Sequence, residues 1–585
     1  MKKNKHRRQK RGRSISASAV DELQKLIKDL PCQRDLLIEY LHRIQDHFHC
    51  LPIEHLHALA KILGISQVEV YEVASFYHHF DIVKEGEPRP PELTIRVCDS
   101  ISCCMAGSEE LISQLENTVA KNIRIQAVPC VGRCDSAPIA VIGTNPVPHA
   151  SVDKINKEID AASTRDCIPE TAILLNEYIK QGGYQLYQQL LNQPDNESVI
   201  NSLEDSGLRG LGGAGFPVGR KWRIVSEQPS PRVMAVNIDE GEPGTFKDRY
   251  YLEHDVHRFF EGMLIAAHVV GVAEIYIYLR DEYAGIRDLL TQEIAALNTQ
   301  FLMRRLHTNN SVDRFKQQNG KLIKKSGGGA ILNLQSLPPI HLRRGAGAYI
   351  CGEESAMIES IEGKRGMPRQ RPPFVAQVGL FNRPTLEHNM ESLYWVRDIV
   401  EKGSDWFSSQ GRNERKGFRS FSVSGRVKNP GVYIAPAGIT LLQLVDEYCG
   451  GMSQGHKLYG YLPGGASGGI LPARLANIPL DFDTLQEYDC FIGSAAIIVL
   501  SEQDSARDIA TNSMKFFEHE SCGQCTPCRL GTTKALNLMQ DKNWDIELLQ
   551  ELSIVMQDAS ICGLGQAAPN PMQCVIRYFP DEIKP

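Results

Sequence analysis

Apolar residues recur at helical spacing at both ends of the chain. In the N-terminal part this pattern predicts four helices, over residues 20–27, 36–48, 53–63 and 67–74. A proline-rich run at 87–91 ends this set. In the C-terminal part the same spacing predicts three more helices, over residues 504–520, 532–540 and 545–557. We therefore expect a helical bundle at each end of the chain.

The middle of the chain mixes strand and helix patterns. β-Branched runs at 93–97 and 123–128 predict two short strands, and the apolar stretch 259–279 predicts a buried helix that runs into a strand. The charged segment 151–166 is expected to be a linker. After it, alternating helix and strand signals predict an α/β domain, and strand-like runs with Gly and Pro turns then predict a β-rich domain.

These patterns predict a multidomain α/β protein of six segments. The segments are a disordered basic tail (1–18), an N-terminal helical bundle (19–90), a cysteine-bearing domain (91–165), an α/β domain (170–415), a small β-rich domain (420–500) and a C-terminal helical domain (504–585). The length of 585 residues agrees with several domains, because a chain of this size exceeds one compact core.

Composition and charge exclude several classes of protein. Hydrophobic content of 42% and charged content of 23% are those of a folded globular chain. The net charge is −6, although Lys and Arg fill eight of the first thirteen positions. That tail lacks aromatic residues that could stack on bases, so nucleic-acid binding is not expected. No apolar segment follows it, so we expect a cytoplasmic protein without direct membrane insertion.

The sixteen cysteines fall into two clusters and a scattered remainder. The first cluster has the spacing C-x4-C and C-x3-C and consists of Cys98, Cys103, Cys130 and Cys134. Each pair follows one of the two short predicted strands, so the four thiols are expected on two loops at the same end of a sheet. Four converging thiolates suit zinc or an iron–sulfur cluster, and the spacing alone leaves both open.

The second cluster has the spacing C-x2-C-x2-C with a distant fourth member. It consists of Cys522, Cys525, Cys528 and Cys562. This pattern is typical of the local run that holds a [4Fe-4S] cluster, more than of common zinc sites. The alternative is a reduced structural loop without metal.

Two glycine-rich loops indicate a flat or phosphorylated ligand. The first contains Gly210-x-Gly212-x-x-Gly215, but no strand precedes it, so a Rossmann site is disfavoured; Lys221 could supply charge for a phosphate. The second, at 345–354, ends in a pair of glutamates. The carboxylate-rich run 237–248 between them favours a flavin and a nicotinamide nucleotide, which offer hydrogen-bond donors. Side chains that could stack on their rings are Phe216, Tyr349 and Phe374.

The two cysteine clusters, the two glycine loops and their order resemble one family. This is the NADH-oxidising flavoprotein module of respiratory complex I and of soluble NAD-linked hydrogenases and formate dehydrogenases, here preceded in the same chain by a fused thioredoxin-like [2Fe-2S] domain. The resemblance implies that the β-rich domain is β-grasp-like (ubiquitin-like). It also implies [2Fe-2S] on the first four cysteines and [4Fe-4S] on the second four.

The resemblance also implies the residues around the organic cofactors. Those around FMN would be Gly210, Gly212, Gly213, Lys221, Asn237, Asp239, Glu240, Tyr349, Gly352, Glu353, His388 and Asn389. Those facing NAD would be Phe216, Glu242, Glu354 and Phe374. No protein group is expected to act as a catalytic residue, because FMN carries the chemistry.

Two positions depart from the complex I pattern. His388 stands where that pattern has the first of two asparagines, and Leu211 replaces the usual arginine of the first glycine loop. Together with the runs Tyr394-Trp-Val-Arg and Glu520-Ser-Cys-Gly-Gln, these departures look most like the beta (diaphorase) subunit of NAD-dependent formate dehydrogenase. The resemblance then implies a partner alpha subunit with molybdenum or tungsten, together with small accessory subunits. Electrons would pass from its metal site through the iron–sulfur clusters to FMN and on to NAD+.

Two alternatives remain open. One is the diaphorase subunit of an NAD-linked [NiFe]-hydrogenase or a fused NADH dehydrogenase subunit of complex I. The other, of a different class, is a zinc-stabilised nucleotide-binding scaffold without turnover.

Overall fold

The computed structural model describes residues 15–120, 122–192, 194–311, 317–318, 321–322 and 337–583. The basic charges of the tail predicted over 1–18 lie outside the described residues. The predicted multidomain α/β architecture is confirmed.

The N-terminal region forms the predicted set of helices. They are α1 (Ala17–Leu26), α2 (Leu37–Phe48), α3 (Ile53–Leu63) and α4 (Gln67–Ala74), with the short parallel strands β1 (Leu51–Pro52) and β2 (Ile82–Val83). The break between α3 and α4 follows from local chemistry. Gly64 takes a left-handed conformation that ends α3, and the Ser66 hydroxyl accepts the Glu69 N–H to begin α4.

The first cysteine cluster lies in a small mixed sheet with the strand order β4-β3-β5-β6. Its elements are β3 (Leu93–Cys98), α5 (Ile101–Met105), α6 (Ser108–Thr118), β4 (Ile123–Val128), β5 (Ala140–Ile142), β6 (Asn145–Val147) and α7 (Val152–Asp160). The linker predicted over 151–166 is wrong in its first half, because α7 belongs to this domain. Charged residues dominate this segment, but it also carries an apolar stripe on one helix face, in which Ile155 is fully buried beside Val152 and Ile159.

The largest region is built on a four-stranded parallel sheet with the order β11-β8-β7-β12. Its first half contains α8 (Leu175–Lys180), α9 (Gln185–Asn192), α10 (Asn196–Ser206), α11 (Val218–Ser226), β7 (Arg232–Ile238), α12 (Lys247–His254), α13 (Val256–Val270), β8 (Val272–Leu279) and α14 (Ala284–Ser311). Its second half contains β9 (Gln317–Gln318), β10 (Lys321–Leu322), β11 (Ile340–Arg344), α15 (Glu354–Ile361), β12 (Thr385–Asn389), α16 (Met390–Tyr394), α17 (Val396–Lys402) and α18 (Ser404–Ser408). The central strands β7 and β8 are buried, as their apolar sequences require.

A five-stranded mixed sheet and a helical region complete the fold. The sheet has the order β14-β13-β17-β15-β16, from β13 (Phe418–Gly425), β14 (Gly431–Pro436), β15 (Leu458–Leu462), β16 (Leu471–Pro472) and β17 (Ala496–Ser501), with α19 (Leu441–Glu447). The helices are α20 (Ala506–Glu520), α21 (Thr526–Gln540), α22 (Ile546–Ala559), α23 (Gly563–Ala567) and α24 (Asn570–Tyr578).

Two further findings concern the lengths and polarity of the helices. The helix predicted over 532–540 begins earlier, at Thr526, because a proline in the first turn is compatible with a helix. Among the residues that the structure describes, every helix is too short or too polar to cross a lipid bilayer.

The helices α13 and α16 pack at unusually short range, which makes Gly262 a sensitive position. A Cβ atom at Gly262 would lie 1.9 Å from the carbonyl oxygen of Leu393. We expect Gly262→Ala to lower the free energy of unfolding by about 1–3 kcal/mol, because the two backbones must move apart. Thermal unfolding measures this. Gly431→Ala, whose Cβ would meet Tyr433 at 3.8 Å, is the matched control. Equal melting temperatures for the two variants would contradict the packing argument.

Candidate functional site

Four cysteine thiols converge at one end of the small β4-β3-β5-β6 sheet. Cys98 ends β3 and Cys130 follows β4, and these two strands are parallel, so both loops leave the same end. Cys103 lies in α5 and Cys134 begins a short 3-10 turn. The Cys130 and Cys134 sulfurs are 3.3 Å apart, and Cys98 contacts both Cys103 and Cys130. All four are 2–5% exposed, so the geometry fits a buried two-iron cluster.

Two arginines of the α/β region bind the loop between Cys130 and Cys134. Arg280 Nη2 donates to the Cys130 carbonyl at 2.7 Å. Arg249 Nε donates to the Gly132 carbonyl at 3.0 Å, and its Nη2 lies 2.9 Å from both carboxylate oxygens of Asp135. The first cysteine set is therefore fixed against the sheet that carries the glycine loops.

The second cysteine set closes a small cavity at the helical C-terminal region. Cys522, Cys525, Cys528 and Cys562 all line it, together with Ile350, Pro368 and Leu564. Helix α21 begins directly after Cys525, so the positive end of its dipole faces the thiols. This favours a negatively charged thiolate–metal group there.

A larger cavity of about 280 Å³, here named the central cavity, lies between these two cysteine sets. It is lined by Gly212, Gly213, Asn237, Asp239, Glu240, Gly241, Glu242, Thr245, Lys247, Asp248, Tyr349, Ile350, Gly352, Glu353, Asn389, Ser467, Phe491, Gly493, Ser494, Gly563, Leu564 and Ala567. Its walls come from several of the chain's regions, so the cavity exists only in the assembled fold.

Buried carboxyl groups dominate the polar lining of the central cavity. Burial, together with the nearby Asp248, raises the pKa of Glu240 to about 7 against the effect of Lys247. Burial also raises the pKa of Asp239 well above its usual range, although Arg280 opposes this. With a pKa near neutrality, Glu240 repels a phosphate-bearing ligand less than a fully ionised carboxylate would.

One lining atom is open to a ligand. Asp239 Oδ2 is buried and has no hydrogen-bond partner among the described residues. An unpaired buried acceptor is costly, so its presence on a cavity wall fits a ligand that donates a hydrogen bond. Asn237 is already engaged, because its side chain donates to the Gly352 carbonyl at 2.8 Å and joins the carboxylate-rich run to the second glycine loop.

Glu242 is held from two sides at the edge of the central cavity. The Tyr349 hydroxyl donates to Glu242 Oε2, and the Ser467 N–H donates to Oε1 at 2.7 Å. Burial raises the pKa of Glu242, while these two donors lower it. The orientation of this carboxylate is thus fixed before any ligand binds.

Both cysteine sets are close neighbours of the central cavity. Ile350 and Leu564 line the central cavity and also the cavity of the second cysteine set, so the two share a wall of apolar side chains. On the other side, Phe246 packs against Cys130 and Cys134, while its chain neighbours Thr245 and Lys247 line the central cavity. A ligand in the central cavity would therefore lie between two thiol clusters.

The structure brings most of the expected organic-cofactor residues into the central cavity. The ten that line it are Gly212, Gly213, Asn237, Asp239, Glu240, Glu242, Tyr349, Gly352, Glu353 and Asn389. The six outside its lining are Gly210, Lys221, His388, Phe216, Glu354 and Phe374. Of these six, Phe216 and Phe374 are exposed aromatic rings, at 39% and 53%.

Lys221 and His388, two of the residues expected around FMN, are engaged within the protein. Lys221 Nζ donates to the Glu387 carbonyl at 3.0 Å and pairs with the Glu387 carboxylate. His388 is 1% exposed and accepts a hydrogen bond from Trp222 Nε1 at 2.8 Å. Burial, and then Lys221, hold the pKa of His388 well below its usual range, so it is a neutral acceptor in the core. Their proposed contacts with FMN remain predictions, with Lys221 Nζ held beside Glu387 and His388 Nε2 held by Trp222.

Sequence reasoning missed several parts of the lining, among them Lys247, Ser467 and the segments 491–494 and 563–567. Lys247 is buried in ion pairs with Asp248 at 2.7 Å and Glu391 at 3.0 Å. Burial alone would lower the pKa of Lys247, but these acids raise it above its usual range, so a permanent cation faces the cavity. Ser467, another missed residue, lies in the run 464–469, whose four glycines were a usable signal.

Comparison with curated proteins identifies the family. The chain is 36% identical over 418 residues to the mitochondrial NADH-ubiquinone oxidoreductase 51 kDa subunit of Neurospora crassa, covering 69% of this chain and 80% of that protein. The chain belongs to the family of the complex I 51 kDa flavoprotein. Another relative in this family is the mitochondrial NADH dehydrogenase [ubiquinone] flavoprotein 1 of Dictyostelium discoideum, 36% identical over 71% of this chain and 84% of its own length.

Four family models match separate stretches of this 51 kDa flavoprotein family member. Residues 203–398 match the Nuo51 FMN-binding domain, and residues 508–585 match the NADH-ubiquinone oxidoreductase-F iron-sulfur binding region. Residues 23–163 match the thioredoxin-like [2Fe-2S] ferredoxin, and residues 420–471 match the SLBB domain. The expected cofactors are thereby confirmed: FMN, NAD, a [2Fe-2S] cluster and a [4Fe-4S] cluster.

A solved structure matches the whole arrangement. It is a chain of an NAD+-reducing [NiFe]-hydrogenase in the H2-reduced state, 28% identical, with a TM-score of 0.77. The match covers 94% of this chain and 93% of the other. The fused [2Fe-2S] region therefore lies within the matched fold.

The unpaired Oδ2 atom of Asp239 predicts that this residue contributes to FMN affinity. We expect Asp239→Ala to raise the dissociation constant of FMN about tenfold, because one net hydrogen bond of about 1.4 kcal/mol is lost. Flavin fluorescence during reconstitution measures this. Asp29→Ala, which removes an exposed acid paired with Arg43, should leave FMN affinity unchanged. If the two variants bound FMN equally well, the assigned role of Asp239 would be wrong.

Proposed function

We propose that this chain is the diaphorase subunit of a soluble NAD-dependent formate dehydrogenase. It would pass electrons from a partner's metal site through iron–sulfur clusters to FMN and on to NAD+, reversibly. The observation that carries the diaphorase part is the central cavity, which shares a wall with one cysteine set and adjoins the other.

The cluster ligands in this proposal are the two cysteine sets. Cys98, Cys103, Cys130 and Cys134 would hold [2Fe-2S], and Cys522, Cys525, Cys528 and Cys562 would hold [4Fe-4S]. Burial raises the pKa of Cys528 to about 11 and that of Cys562 to about 12, so the thiolates require a bound metal that compensates their charge. We also propose that the chain is divided at the six segment boundaries that the sequence patterns predict.

The organic cofactors would be held by the lining of the central cavity. When bound, FMN supplies the exchange between a hydride carrier and one-electron iron–sulfur groups. Asp239 would accept a hydrogen bond from it, and Tyr349 and Ser467 would keep Glu242 oriented toward the nicotinamide nucleotide. Ile350 and Leu564 would exclude water between the central cavity and the [4Fe-4S] cluster. Phe216 and Phe374 remain candidates for stacking on the nucleotide.

The formate partner rests on the sequence departures from the complex I pattern. Leu211 and His388 are both buried, at 4% and 1%. The Leu211 N–H donates to the Ser392 hydroxyl, and His388 accepts from Trp222. We infer a catalytic alpha subunit that oxidises formate at molybdenum or tungsten, with small accessory subunits, working in the cytoplasm.

A specific observation favours a second candidate. The hydrogenase chain that matches 94% of this chain is described as NAD+-reducing. A diaphorase subunit of an NAD-linked [NiFe]-hydrogenase would use the same cavity and clusters, with a nickel-containing partner.

The experiment that separates these functions is anaerobic purification of the native complex through a tag on this chain. The formate proposal predicts iron with molybdenum or tungsten and formate-driven reduction of NAD+. Iron with nickel and hydrogen-driven reduction would replace it with the hydrogenase function. Zinc without iron or flavin would contradict any diaphorase function.

A further inference from the structure

Two histidines and a glutamate meet where the N-terminal helical region touches the end of α20. His78 follows α4, while His519 and Glu520 are the last two residues of α20, just before the second cysteine set. His519 Nδ1 lies 3.3 Å from Glu520 Oε1, and His78 Nδ1 lies 3.9 Å from the same oxygen. The two imidazole centroids are 4.0 Å apart. Three potential ligand atoms thus lie within 4.8 Å of one another.

These distances are close to those of a coordinated ion. A tetrahedral zinc ion with bonds of about 2.0–2.1 Å separates its ligand atoms by about 3.3–3.4 Å. The His519–Glu520 separation of 3.3 Å already has this value, and His78 needs to approach by less than about 1 Å. Two imidazole nitrogens and one carboxylate oxygen are a ligand set that zinc favours.

The site is open on one side and anchored on the other. The His78 and His519 side chains are 45% and 44% exposed, so an ion can enter from solvent, whereas Glu520 is 5% exposed. Asp99 and Glu518 add negative charge near His519, although Lys515 pairs with Asp99 at 2.9 Å. The net local charge therefore favours a cation.

We propose that His78, His519 and Glu520 form a binding site for a divalent zinc ion, with water as the fourth ligand. This site is separate from both cysteine sets. It joins the N-terminal helical region to the helix that leads into Cys522. The competing interpretation is a pair of histidines that share one carboxylate by hydrogen bonds and bind no metal.

The position of Glu520 links this site to the central cavity. Its second oxygen, Oε2, accepts the Tyr349 N–H at 2.9 Å, and Tyr349 lines the central cavity. Cys522 follows Glu520 closely in the sequence. An ion on Oε1 therefore lies near the [4Fe-4S] cluster and restrains the backbone of Tyr349.

The first test is equilibrium dialysis of the anaerobic holoprotein against buffered Zn2+. Cys32 and Cys167 are exposed thiols that would bind zinc nonspecifically, so both are changed to serine in every sample. We expect one zinc ion per chain beyond the iron content. His78→Gln and His519→Gln should each weaken binding more than tenfold, because a direct ligand is lost. His47→Gln, on the exposed face of α2, is the matched control and should bind zinc like the parent.

The second test locates the ion. Paramagnetic Co2+ in place of Zn2+ should broaden the EPR signal of the reduced [4Fe-4S] cluster, and either ligand variant should abolish this effect. Zinc uptake that is equal in the parent, in His78→Gln and in His519→Gln would overturn the proposal, as would the absence of broadening in a sample that shows the cluster signal. Absence of the cluster signal itself would instead count against the proposed cluster ligands, so the two failures are distinguishable.

Discussion

The buried guanidinium of Arg280 holds two redox sites in fixed relation. It is 4% exposed, and it donates to the Glu240 carbonyl beside the central cavity and to the Cys130 carbonyl of the first cysteine set. A buried charge is tolerated only when it is paired and its donors are satisfied, and here Arg280 Nε pairs with Glu282 at 3.0 Å while the two carbonyls accept from its other nitrogens. Tyr283 reinforces the contact, because a Cβ at Gly132 would lie 2.2 Å from its hydroxyl oxygen. The loop can therefore approach Tyr283 this closely only with glycine at position 132.

The rest of the electron-transfer arrangement follows from this anchoring. Glu240 accepts the N–H groups of Asp248 and Arg249, which begin α12, and the Tyr283 hydroxyl. That helix start places Lys247 in the cavity wall and Phe246 against Cys130 and Cys134. On the opposite wall, Tyr349 ties the second glycine loop to Glu520 and to Glu242. One network of buried polar groups thus connects both cysteine sets to the central cavity.

Local patterns predicted the elements well, and long-range packing explains what they missed. The helices at 53–63 and 67–74 have their predicted ends because Gly64 and Ser66 act locally. The convergence of four cysteines was predictable because parallel strands β3 and β4 deliver both loops to one end of a sheet. The pairing of Lys221 with Glu387 was not predictable, because Glu387 is distant in sequence and reaches Lys221 only through the β12–β7 pairing. The run 464–469 is also distant in sequence from the other lining residues. Its glycines could suggest a ligand-binding loop, but not that this loop contributes to the wall of the central cavity.

The central claim is that a flavin in the central cavity delivers electrons directly to the neighbouring [4Fe-4S] cluster. Anaerobic titration of the isolated holoprotein with NADH, followed by absorbance and EPR, tests it most directly. The account predicts that flavin bleaching is accompanied by the EPR signal of a reduced [4Fe-4S] cluster. Flavin bleaching without that signal, in a sample whose cluster is reducible by dithionite, would contradict the account.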